Sequence, residues 1–129
     1  MECSDVLTIV SILLGVLAYG VDKYLARRDK TLQALNELIR CYNEKISKKE
    51  KEKDYFLILR RFLGEVERVC ISVDSYVYSA GTMKKYGSKF LIMLYDKNKE
   101  YIIEKTRKDF NDDSKFLYFE KLVDKFKRS

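Results

Sequence analysis

The stretch VLTIVSILLGVLAYGV, Val6 to Val21, holds no charge in a chain where 36% of residues are Asp, Glu, Lys or Arg. A segment of this kind spans a membrane, serves as a cleaved signal, or folds into a soluble core. As a helix it covers roughly 24 Å, short of the ~30 Å hydrocarbon core of a bilayer. Its flank makes up the difference. Lys23 can snorkel to the interface, and Tyr24, Leu25 and Ala26 continue the apolar helix to Arg27 and Arg28, a span of about 20 residues. A secretory signal needs a basic start and a small-residue cleavage site, but Glu2 and Asp5 make this start acidic and AYGVDKY is a poor site. The residues therefore predict a transmembrane anchor over 5–26, with a buried soluble helix as the alternative.

Charge sets the expected direction. Lys23, Arg27, Arg28 and Lys30 follow the apolar run, partly offset by Asp22 and Asp29. By the positive-inside rule the amino terminus lies outside and the rest lies in the cytoplasm, at a bacterial inner membrane. Every Lys and Arg lies beyond Val21 while the whole chain carries a net charge of +6, so a basic body is expected beneath an anionic leaflet. Within the anchor, Thr8, Ser11, Gly15, Ala18 and Asp22 recur at spacings of three and four and share one helix face. Small side chains let two backbones approach closely in lipid, so Thr8, Ser11, Gly15 and Ala18 are candidates for helix association.

There is no proline, and no glycine between Val21 and Leu63, which favours long helices. Leu32, Leu35, Ile39, Tyr42 and Ile46 form one apolar stripe, and nothing obliges the anchor to turn before it, so a single rod of roughly 40 residues is expected, with Gly20 as its soft point. SKKEKEKD, Ser47 to Asp54, reads as a solvated helix end and connector. Tyr55, Leu59, Phe62, Val66, Val69, Val73 and Tyr76 mark a further helix expected to end near Gly81, with Thr82 capping the next. In that next helix Met83, Tyr86, Phe90, Leu94, Tyr101 and Ile102 are less regular and are interrupted by Gly87. Asp113 or Ser114 is the expected cap of a last helix facing inward through Phe116, Phe119, Val123 and Phe126. The fold class is all-α: one transmembrane helix, then an antiparallel cytoplasmic bundle of three or four helices over 27–129.

Little points to chemistry. Without histidine, a Gly-rich phosphate loop, a GxSxG elbow or paired cysteines, neither a catalytic site, a metal site nor a cofactor is expected. Cys41 and Cys70 read as small core or boundary residues. One polar stripe, Arg60, Glu67 and Asp74, runs beside the apolar face of the third helix. A half-buried Glu67 paired with Arg60 or Arg68 would shape a pocket there, and boundary ion pairs would be the plainer use.

The segments RRDKTLQALNELIRCYNEK, FLGEVERVCISVDSYVYSAG, LYDKNKEYIIEKTRK and YFEKLVDKFK resemble a bacterial and phage family of single-pass, membrane-anchored helical proteins, a domain of unknown function, over about Asp5 to Lys127. The resemblance singles out Glu67, Gly81, Tyr95, Tyr101 to Arg107, Phe119, Glu120 and Leu122. It implies a fold and a location and supplies no activity. The expected role is an interaction or self-associating module at the cytoplasmic membrane face, partnered by the membrane, a second copy or another protein. Two other readings stand beside it: a membrane-active effector of a phage-defence or toxin-like system, and a soluble helical bundle that uses the first helix as core or binds nucleic acid through its lysines. Glu50, Glu52 and Asp54 break up the lysine run and argue against nucleic-acid binding.

Overall fold

A computed structural model describes residues 3–47, 53–108, 111–112 and 115–128, and all regular structure among them is helical. Helix α1, Cys3–Cys41, is one rod of 39 residues, unbroken at Gly20, and it continues into a π-helical turn over Tyr42–Ile46. Helix α2 is Tyr55–Asp74 and α3 is Ala80–Glu100, which passes into π-helical winding over Tyr101–Arg107; α4 is Leu117–Arg128. The centre of the charged connector and the expected caps Asp113 and Ser114 lie outside the described residues.

The second half of α1 packs on α3, and α4 lies against both α2 and α3. Thr31, Leu35 and Leu38 are the deepest residues of α1, and Ile46 joins them from the π turn. Leu32, Ile39 and Tyr42 lie at the edge of that stripe, half-buried. Phe119 of α4 is fully buried and meets Tyr95 of α3 edge to face at 5.4 Å. On α3 the buried line is Met83, Gly87, Leu91, Leu94, Asn98 and Ile102. Gly87 is thus no interruption: Leu35 of α1 packs directly against it. A Cβ there would stand 2.7 Å from Met83 Sδ and 3.0 Å from Leu35 Cδ1.

The α2–α3 turn differs from the expectation. α2 ends at Asp74, and the left-handed residue that closes it is Tyr76, with φ of 64°, while Gly81 lies inside the first turn of α3. The Val77 amide donates to the Ser72 carbonyl (2.9 Å) and the Tyr76 amide to that of Val73 (3.2 Å), the paired bonds of a Schellman motif. A tyrosine in this conformation costs about 1–2 kcal/mol that a glycine would not. The cap of α3 is Ser79, whose hydroxyl accepts the Thr82 amide at 3.2 Å; Thr82 is therefore the capped residue and not the cap.

Thr31 fixes this turn against α1. Its buried hydroxyl donates to the Arg27 carbonyl (2.7 Å) and accepts the Ser79 amide (2.8 Å), at the neck where α1 enters the body.

Candidate functional site

From residue 4 to residue 26, every position of α1 is exposed. Leu7 and Leu17 show 67% and 64% of their surface, and none of the most apolar window of this helix is buried in the chain. By length and composition this is a helix that can cross a membrane. A helix core to a soluble body would be covered by its neighbours, and here none of the described residues buries any position of it. Thr8, Ser11, Gly15 and Ala18 all lie on this bare rod. The Thr8 hydroxyl donates to the Ser4 carbonyl at 2.9 Å, satisfying itself within the helix. At Gly15 nothing stands within 4 Å of where a Cβ would be, so the small-residue face is open at that position.

The polar stripe on α2 divides. Arg60 and Glu67 line one cavity of about 620 Å³ together with Thr106 and Tyr118; Asp74, the last residue of α2, lies apart from it, exposed. Of the two partners expected for Glu67, Arg68 pairs with Glu65 at 2.9 Å. The two Glu67 carboxylate oxygens accept the backbone amides of Tyr118 (2.8 Å) and Phe119 (2.9 Å). A side chain of α2 thereby caps the first turn of α4, whose amides have no partner in their own helix. Burial pushes the Glu67 carboxyl above its ordinary value, against the pull of the two amides and of the Arg107 charge. Arg107 holds the other side of the junction, donating from Nε to the Lys115 carbonyl (2.8 Å) and pairing with Glu120.

Several residues singled out by the sequence resemblance therefore meet at one place. Glu67, Tyr95, Arg107, Phe119 and Glu120 build the junction of α2, α3 and α4. Gly81 is distant from it in the first turn of α3. Cys70 is buried on the core side of α2, and burial together with the Glu67 charge pushes its thiol far up, which makes it inert. Cys41 is half-buried beside Glu37.

Two features of the site have no single-residue signal in the sequence. Thr31 was outside the apolar pattern because its value lies in one hydroxyl shared by two segments. Thr106 is buried, and its hydroxyl oxygen is the one buried side-chain polar atom among the described residues without a hydrogen-bond partner. Thr8 and Thr31 return theirs to the carbonyl four residues back, but Thr106 sits in the wider π-helical winding, where it makes no such bond.

A family model described as Domain of unknown function (DUF4760) matches residues 8–126. No curated protein and no solved structure matches the chain.

Proposed function

The chain belongs to the DUF4760 family, and we propose that it is a single-pass membrane protein whose helical body works as an interaction or self-associating module at the cytoplasmic face. Residues 5–26 are the anchor, and 27–129 are the body, read as an antiparallel bundle. The observation that carries this is the exposure of every residue from 4 to 26 in a run with no charge between Val6 and Val21. Burying a Leu or Val side chain is worth about 1.5–3 kcal/mol, so a rod bare all round forfeits many such contributions in water and recovers them in hydrocarbon. Its backbone bonds are closed within the helix, as a bilayer requires. Arg27 and Arg28 at the exit favour the cytoplasm for the body.

The anchor raises the local concentration of the body, which makes weak contacts between copies or with a membrane partner effective. We propose no catalytic role. The open face at Gly15 also favours a second reading, an effector whose anchor helices associate and disturb the bilayer. Dye release from vesicles on reconstitution separates the two: the module leaves vesicles sealed and the effector does not.

Topology is the direct test. A reporter that fluoresces only in the cytoplasm, fused after residue 129, should be bright, and the chain should stay with membranes through a carbonate wash. A dark cytoplasmic fusion with an active external one would reverse the orientation, and release by carbonate would remove the anchor.

A further inference from the structure

We infer that the end of the helical body from which α1 departs is itself a membrane-binding surface, with the turn between α2 and α3 seated among phospholipid headgroups. This rests on the anchor reading and adds to it a fixed attitude of the body against the bilayer.

The level of the turn is set by its bonds. The Ser79 amide meets the Thr31 hydroxyl at 2.8 Å, and Tyr24 and Arg28 of α1 line a small cavity of about 200 Å³ with Gly81, Lys85 and Tyr86 of α3. Arg28 also donates to the Tyr86 hydroxyl at 3.4 Å. The start of α3 therefore stands beside residues 24–31 of α1. From Ala26, where the proposed anchor ends, to Thr31 is about 8 Å along the helix axis. The polar layer on each side of a bilayer is about 5–8 Å thick. With residues 5–26 in hydrocarbon, the turn reaches the headgroups without any movement of the body.

What the turn presents there suits that layer. Tyr76 is 76% exposed and Val77 is 55% exposed, although neither contributes to the core. Tyr76 holds the left-handed position of the turn, so an aromatic ring is displayed where glycine would be the easier residue. Tyrosine, with an apolar ring and a polar tip, favours the membrane–water boundary. Around it Arg27, Arg28, Lys84 and Lys85 outnumber Asp29 and Asp74, a balance that anionic headgroups complement. The opposite end of α2 offers the contrast: Phe56, 61% exposed, stacks on Tyr101 at 5.5 Å and lies about 27 Å down the axis from Asp74.

The chain contains no tryptophan, so each introduced one is a unique fluorophore. Full-length Leu14→Trp, Tyr76→Trp, Val77→Trp and Phe56→Trp are reconstituted in phosphatidylcholine–phosphatidylglycerol vesicles, with and without brominated lipids, and titrated with acrylamide. Leu14→Trp should be quenched by lipids brominated deep in the acyl chain. Tyr76→Trp and Val77→Trp should be quenched by shallow bromines and be several-fold less sensitive to acrylamide than Phe56→Trp. Val77→Trp reports the same surface at a position free of the left-handed constraint. If both turn variants match Phe56→Trp while Leu14→Trp is quenched by lipid, the surface is wrong and the anchor stands. If Leu14→Trp itself escapes lipid quenching, the anchor fails and the surface with it.

Discussion

The two halves of α1 carry similar apolar side chains and treat them in opposite ways. Leu7 and Leu17 are open, whereas Leu35 and Leu38 on the same rod are buried against the body. The difference lies in what surrounds them on the helix. Between 31 and 46 the apolar residues form one stripe and Gln33, Asn36, Glu37, Arg40 and Glu44 fill the rest, so one face can dock while the other meets water. Between 6 and 21 no such polar face exists, and a helix apolar on all sides needs either protein or lipid around it. Apolar content alone marks burial; the angular distribution of charge decides what does the burying.

Truncating one leucine in each half gives the largest contrast. Leu35→Ala should lower the unfolding free energy of the body by about 2–5 kcal/mol, read by denaturant titration in mild detergent. Leu13→Ala should leave it unchanged. Equal effects would mean that the rod and the body fold as one core.

Glycine sharpens the comparison at smaller scale. Gly87→Val pushes a branched side chain into Leu35 and Met83 and should cost about 1–3 kcal/mol in the same titration. Gly15→Leu, at an open position, should leave body stability intact and, if the small-residue face joins two copies, reduce energy transfer between tagged chains in vesicles. A wild type that transfers no more than Gly15→Leu would make the anchor a simple tether.

Glu67 tests the body from within. Its folded carboxyl titrates above the ordinary value, so between those two values the folded state holds more proton than the unfolded chain. The contribution of this group is fully present below the ordinary glutamate range and is lost as pH rises through the raised value. Glu67→Gln should flatten that part of the pH–stability curve, measured by thermal unfolding across the acid range. The smallest effect belongs to Gly64, which has open space at its Cβ on α2: Gly64→Ala should stabilise by about 0.5–1 kcal/mol through helix propensity.

These residues also mark how far the sequence could be read. The apolar rod, its continuity through Gly20 and the inward residues of α4 follow from spacing, because periodicity is a local property of one helix. The α2 boundary was displaced because glycine is the usual left-handed residue, and here Tyr76 accepts that strain while Gly81 turns helically. Gly87 read as a break because an apolar pattern counts large side chains, whereas its role is the room it leaves for Leu35. The partners of Glu67 were illegible for a different reason. They are backbone amides about fifty positions along the chain, and an amide has no residue type to recognise.

The two halves of α1 can be compared in one measurement, hydrogen–deuterium exchange of the full chain in phospholipid vesicles. Peptides from 6–21 should exchange more slowly than those from 31–41, although none of the described residues covers the former and the body covers one face of the latter. Bilayer hydrocarbon, alone or with a second copy's anchor inside it, is then the source of that protection. Faster exchange over 6–21 than over 31–41 would place the rod in water and contradict the membrane anchor.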